Sequence, residues 1–289
     1  MLQWLLALFG ASALWNSLSR FFGPWGSWTE LDYIVYGVAF NDTWVPLYML
    51  YNRLNSLSTA YGRYAGFKDP KAGIHPRLYW TLMEIPNLVG AAVVLSRSMR
   101  ENKDETAWVE PGLLVALCFV FHYVLRVFVF GLCLRGGSRN PLSTLLLSTM
   151  FTLINGYAQV RYHTHYATYP DNYIASPTFV AGVAIFFAGL VSNHWCDSLL
   201  RNLRKSADDK KHYIPQGFLF EYVSGANFFC ETVEWLGYAI ASGTFLGWSF
   251  FWSTLVNTGV RAMDHHDDYR KKFKEQYPKD RKAFVPFVL

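Results

Sequence analysis

The chain has 289 residues, of which 52% are hydrophobic, 18% aromatic and 16% charged. An average soluble protein carries about 25% charged residues, so the polar surface of a soluble globule is hard to build from this composition. Mean hydropathy is only +0.11, which leaves the position of the apolar residues to decide. Cys118, Cys133, Cys196 and Cys230 lie singly in apolar stretches without CxxC spacing, which points away from a disulfide framework and from a zinc site. A net charge of +5 is too small and dispersed to imply a nucleic-acid partner.

In chain order, residues 1–22 form an apolar stretch whose first positive charge is Arg20. Without a basic segment before Trp4, it is no ordinary secretory signal and reads as an interfacial or accessory helix, the alternative being an eighth span. Seven windows then approach the roughly 20 apolar residues that a helical span needs: 31–52, 78–97, 112–134, 142–163, 177–198, 219–240 and 243–262. The first is the weakest, with Asn41, Asp42 and Pro46 near its middle. The expected architecture is an all-α integral membrane protein: a seven-transmembrane bundle over 31–289, preceded by an N-terminal apolar helix within 1–30. No internal repeat or Gly/Ser linker divides the bundle, which is read as one domain.

Charge orients the chain. With seven spans and a cytoplasmic C-terminus, twenty of the 26 basic residues fall on one face, a strong positive-inside bias. The sequence therefore predicts a multi-pass protein of a bacterial inner membrane or the endoplasmic reticulum.

Several ionisable or strongly polar groups remain inside the spans: Glu84, His122, Tyr123, Arg126, Asn193, Asp197, Asn227, Glu231 and Glu234. Charge at membrane depth costs a few kcal/mol on insertion scales and so marks a pathway or site. At about 100° per residue, Asn193, Asp197 and Arg204 share one stripe if the fifth helix continues that far. Asn227, Glu231 and Glu234 make a second stripe, and Arg261, His265 and Tyr269 a third. Together they predict a polar, partly cationic cavity open to the cytosol, suited to a phosphorylated or dinucleotide ligand. The bland reading is that such groups only bind helix to helix. The run Asp264-His265-His266-Asp267-Asp268 resembles a metal-ligand set, but adjacent helical positions diverge and no ExxH pair faces it, so no metal is expected. The basic tail from Tyr269 to Lys282 reads as a solvated or headgroup-binding segment.

No GxGxxG or GxxxxGK[ST] occurs, so side chains would have to hold any nucleotide. No GxSxG or HExxH occurs either, leaving redox or cofactor-borne group transfer as the leading enzymatic chemistry.

Three stretches, NHWCDSLLRNLRK, YIPQGFLFEYVSGANFFCETVEWLGYA and GVRAMDHHDDYRKKFKEQYPKDRKAFVPFVL, closely resemble the C-terminal half of the steroid 5-alpha-reductase family. The likeness continues upstream through Asn155-Gly156, His122-Tyr123-xx-Arg126, WTLMEIP around Glu84 and Tyr61-Gly62-Arg63, and so covers roughly 61–289. A bacterial or other non-vertebrate member is expected. The resemblance implies a seven-helix membrane reductase with a substrate-side half at 31–140 and a mainly cofactor-side half at 141–289. It implies NADPH in the cytoplasmic part of the bundle and a lipophilic steroid or related enone arriving from the bilayer. By position it gives cofactor roles to Arg126, Arg135, Asn193, Asp197, Arg204, Asn227, Glu231, Arg261, His265 and Tyr269. Glu84 and Tyr123 become the catalytic pair at the 3-keto oxygen, and Trp80, Trp235 and Tyr61 the substrate lining. The sequence departs from the family at Tyr213, where a basic residue is usual, in the longer loop 135–139, and in acidic Asp264 and Asp267-Asp268.

The implied chemistry is hydride transfer to the β-carbon of a Δ4-3-ketosteroid. Glu84, a neutral carboxylic acid in a water-poor site, and Tyr123 would polarise the ketone. Rival readings are a trans-2-enoyl-CoA or polyprenal reductase of the same superfamily, a membrane methyltransferase using S-adenosylmethionine, and a transporter lined by the polar stripes.

Overall fold

The computed structural model describes residues 29–55, 73–101, 110–204 and 212–289. The apolar stretch 1–22 and Tyr61 lie outside them. Among the described residues there are seven α-helices: α1 Glu30–Leu54, α2 Pro76–Glu101, α3 Pro111–Leu125, α4 Leu142–Arg161, α5 Pro177–Asn202, α6 Ala226–Ser242 and α7 Phe245–Phe273. They contain no β-strand, only two isolated bridges. Three helical stretches, Pro76–Ser98, Pro111–Gly131 and Pro177–Asn202, are long and apolar enough to cross a membrane. The other four occupy expected windows but fall short of that measure, so seven spans are not established. The physical reason is visible in their length and polarity: α6 has only 17 residues, and α1 carries Asp42 into the interior, where Ser249 of α7 donates to it at 2.9 Å.

Local sequence sets the helix ends. Thr29 and Asp32 cap each other's backbone N–H at the start of α1, a reciprocal box that satisfies two orphan donors. Ser176 accepts from the Phe179 N–H in front of Pro177, and Thr244 accepts from Gly247. Gly243, at φ 60°, ends α6 in the left-handed region, which glycine adopts without steric cost.

Small residues bring the helices together. Gly156 of α4 lies so close to α2 that a Cβ there would meet the Asn87 Cα and O at 2.5 Å. Gly189 of α5 abuts the backbone of Glu234 on α6 in the same way. Close approach of this kind replaces the missing hydrophobic drive between helices in lipid. Between the helices, Phe119, Tyr123, Phe186, Trp235, Tyr238 and Phe250 share one buried aromatic core.

Three expectations are corrected. The window 219–240 starts too early: Phe218–Glu221 is a 3-10 turn, and Tyr222–Gly225 pairs with the tail, so α6 begins at Ala226. The fifth helix stops at Asn202, so Arg204 is not on its polar stripe. The C-terminal tail is not a loose basic segment. Ser224 and Gly225 donate to the Lys282 and Ala283 carbonyls at 2.9 and 3.0 Å. Tyr277 and Arg281 are buried, and Arg281 donates to the Pro215 carbonyl at 2.9 Å. Paired backbone and a buried guanidinium anchor the tail, which lengthens the interior around α7.

Candidate active site

The centre of the bundle is organised around Arg126. It follows the last residue of α3 and opens a π-helical segment, Arg126–Gly131. The wider turn changes the register of the helix at this residue, a device frequent at functional sites. Its guanidinium faces three carboxyl groups from three helices: Glu84 of α2 at 3.8 Å, Asp197 of α5 at 3.5 Å and Glu231 of α6 at 3.6 Å. These separations exceed direct hydrogen-bond length, so Arg126 acts on all three by charge rather than binding one. Its carbon also lies 4.2 Å from the Phe130 ring centroid and 6.0 Å from that of Trp80, distances at which a ring face attracts a cation.

Glu84 is buried. Asn87, one turn along α2, donates to its Oε2 at 3.4 Å, and Asn155 of α4 donates to Asn87 at 3.5 Å. Tyr123 is also buried. It lies within the electrostatic reach of Glu84, Glu231, Arg126 and Glu234, and its ring packs on Phe119, His122 and Trp235. Trp235 is enclosed by that core, 4.6 Å from both His122 and Phe250 by ring centroids.

The α5 and α6 stripes meet. Asn193 donates to the Asn227 carbonyl at 2.8 Å, and Asn227 donates to Asp197 at 3.3 Å. These two asparagines therefore both join helices and hold Asp197 toward Arg126. On α7, Arg261 and Tyr269 are buried. His265 packs edge-on against Phe228 at 5.2 Å, and Tyr269 stacks on Tyr277 at 5.7 Å. His265 and Tyr269 of the third stripe thus face α6 and the docked tail.

A cavity of about 330 Å³ lies beside this centre, lined by Pro76, Trp80, Leu134, Gly137, Ser138, Arg204, His212 and Lys272. Pro76, Trp80 and Glu84 recur every four residues along one face of α2, so the cavity adjoins the face that carries Glu84. Its far end is cationic. Arg204 donates to the Arg135 carbonyl at 2.7 Å, and Arg135 reaches Asn202 at 3.4 Å. The loop below is stapled to α2: Arg77 donates to the Leu134 carbonyl at 2.7 Å, Arg139 to that of Gly73 at 2.8 Å, and Ile74 pairs with Asn140. A dinucleotide fits this donor set: among the described residues, guanidinium, ammonium, imidazole and hydroxyl groups line the cavity, and no carboxylate does.

Sequence reasoning named Glu84, Tyr123, Arg126, Asn193, Asp197, Asn227, Glu231 and Trp80, and the structure gathers these. It counted His122 among the interior polar groups and Glu234 on the second stripe without pairing them; they form a buried contact, Nδ1 to Oε1, at 2.6 Å, between α3 and α6. Asn87 was also missed, although its spacing of three from Glu84 was a usable signal. The acidic run before Tyr269 pairs with bases: Asp264 and Asp267 lie 2.8 and 2.7 Å from Arg53 of α1, and Asp268 lies 2.9 Å from Lys272. Among the described residues no group of three or more His, Cys, Asp or Glu side chains could hold a metal ion.

Comparison with known proteins gives this geometry its context. The family model described as 3-oxo-5-alpha-steroid 4-dehydrogenase matches residues 138–289. The chain is 38% identical to the Bos taurus 3-oxo-5-alpha-steroid 4-dehydrogenase 1 over 239 residues, 83% of this chain and 91% of that protein. It is 38% identical to the Homo sapiens 3-oxo-5-alpha-steroid 4-dehydrogenase 2 over 232 residues, 80% of this chain and 88% of that one. It is 35% identical to a steroid 5-alpha-reductase of Solanum lycopersicum over 237 residues, 80% and 88% of the two chains. The match to the family model and the length of these alignments show that the chain belongs to the 3-oxo-5-alpha-steroid 4-dehydrogenase family of oxidoreductases.

Proposed function

We propose that this protein reduces the C4–C5 double bond of 3-oxo-Δ4-steroids to 5α-reduced 3-oxosteroids, using NADPH. The observation that carries the reading is the convergence of Glu84, Asp197 and Glu231 on Arg126, beside a cavity with a cationic far end. Bound NADPH supplies the hydride for the steroid β-carbon. Glu84 and Tyr123 donate hydrogen bonds to the 3-keto oxygen as negative charge reaches it, the electrostatic role of an oxyanion hole. Asn87 holds the Glu84 carboxyl, and Arg126 offsets the charge of its carboxyl neighbours. Trp80 and the aromatic core exclude water, which strengthens each of these interactions. Asn193, Asp197, Asn227, Glu231 and Arg126 serve the cofactor at the centre, with Arg135 and Arg204 toward the cavity end and Arg261, His265 and Tyr269 along α7. The C-terminus faces the cytosol, and the steroid arrives from the bilayer.

The test is purified protein in detergent with NADPH and a panel of Δ4-3-ketosteroids, an enoyl-CoA and a polyprenal, followed by product identification. The expected product is a 5α-reduced 3-oxosteroid. Glu84→Gln and Tyr123→Phe should lower turnover about 100- to 1000-fold, the usual loss for one oxyanion donor, with NADP⁺ binding retained. Steroid reduction by Glu84→Gln at near the parent rate overturns the catalytic assignment, and reduction of the enoyl-CoA or polyprenal alone overturns the substrate assignment.

A further inference from the structure

The cavity beside Trp80 ends among basic groups from three separate parts of the chain: Arg204 just beyond α5, His212 after the 205–211 segment, and Lys272 near the end of α7. Each of the first and last is positioned by a specific contact. Arg204 is pinned to the Arg135 carbonyl at 2.7 Å. Lys272 is tied one helical turn back to Asp268, with Nζ 2.9 Å from Oδ2, and its side chain stays about one-third exposed. An i,i+4 pair with the acid N-terminal to the base restricts the lysine's rotamers while leaving two of its three N–H donors for another acceptor. Ser138 adds a hydroxyl in the loop below.

Lys272 lies on the α7 segment that carries Arg261, His265 and Tyr269, three residues beyond Tyr269, yet it faces the cavity instead of the docked tail. The acidic run Asp264-Asp267-Asp268 thereby gains a purpose. It holds Arg53 and Lys272 in fixed directions at the end of α7, where unpaired cations would otherwise extend into solvent.

Three basic side chains and a hydroxyl around one small volume match a terminal phosphomonoester better than a pyrophosphate link. The monoester carries about −1.5 to −2 charges on three free oxygens, whereas each phosphate of a pyrophosphate diester carries one. We propose that Lys272, oriented by Asp268, binds with Arg204 and His212 the 2′-phosphate of the dinucleotide and so selects NADPH over NADH. This inference rests on the dinucleotide reading above and adds a specificity-determining residue to it.

The experiment is equilibrium binding of NADP⁺, NAD⁺ and adenosine 2′-monophosphate to the purified full chain, by calorimetry or tryptophan quenching, for the parent, Lys272→Gln, Lys272→Arg and Asp268→Asn. Loss of one charge-assisted contact at a partly exposed site corresponds to about tenfold in affinity. Lys272→Gln should bind NADP⁺ and adenosine 2′-monophosphate about tenfold more weakly with NAD⁺ affinity unchanged. Lys272→Arg should restore most of the difference, and Asp268→Asn should lose part of it. Equal weakening of NADP⁺ and NAD⁺ would put Lys272 at a phosphate common to both and overturn the proposal, as would unchanged affinity for all three ligands. Failure of the parent to bind either dinucleotide would instead sink the cofactor reading itself, so the two outcomes are distinguishable.

Discussion

Replacing Arg126 by methionine tests the electrostatic organisation of the site most directly. The side-chain volume is nearly kept, so the change removes charge without opening a large cavity. The guanidinium lies 3.5–3.8 Å from three carboxyl oxygens on α2, α5 and α6. At an effective dielectric constant of about 20, a unit pair at such a distance is worth about 4–5 kcal/mol before desolvation and repulsion among the carboxyls are counted. Breaking a buried pair by removing one partner typically costs about 3–5 kcal/mol net. For a domain of this size that loss lowers the unfolding midpoint by roughly 6–20 °C, which thermal unfolding in detergent can read. Arg126→Met combined with Glu231→Gln should recover part of the loss, because one of the stranded carboxyls has been neutralised. The reasoning fails if Arg126→Met melts within about 2 °C of the parent, or if Glu231→Gln deepens the loss when added.

Four further outcomes follow from particular contacts. Glu234→Leu leaves His122 without its 2.6 Å partner and should destabilise the bundle by about 3 kcal/mol; pairing it with His122→Phe should restore much of the loss, and a double variant no better than either single one counts against the assignment. Gly156→Ala drives a methyl group against the Asn87 backbone and should cost about 1–3 kcal/mol, with steroid turnover falling further than NADP⁺ affinity because Glu84 is on the displaced helix; equal effects on both would argue against that coupling. At the other end of α1, the Arg161 hydrogen bonds hold the Glu30 carboxyl down at about 2 from its ordinary 4.5, with further help from Tyr157 and Tyr166. Since the folded value is the lower one, the contribution is present above about pH 4.5 and is lost as pH falls toward 2, so the gap in unfolding midpoint between the parent and Glu30→Gln should close across that window; a gap that widens on acidification contradicts the sign. Arg53→Gln removes a partly exposed clasp between α1 and α7 and should cost no more than about 1 kcal/mol, fading as salt is raised.

Much of the helical layout was legible in the sequence because apolar windows must satisfy their backbone internally, and within one segment a helix is the only way to do so. The seven windows accordingly correspond to seven helices among the described residues. Their boundaries were less legible where tertiary contacts competed. Residues 222–225 pair with the C-terminal tail instead of joining α6, a partner some sixty positions away that no local pattern reveals. Arg204 illustrates the same limit: angular spacing placed it on a stripe, but its helix ends at Asn202. It still reaches the cavity by hydrogen bonding the Arg135 carbonyl.

Composition, the seven apolar windows and the internal carboxyl groups determined that this chain is helical, suited to a membrane and polar inside, because the cost of burying charge makes each such residue conspicuous. The family motifs supplied the identity of the key side chains. Which partners those side chains have was decided by tertiary structure alone. That Arg126 serves three acids and that His122 meets Glu234 are facts of helix packing. The periodicity of one helix fixes which residues share its face, while the rotation and approach of its neighbours, set here by contacts such as Gly156 on Asn87 and Gly189 on Glu234, fix what that face meets.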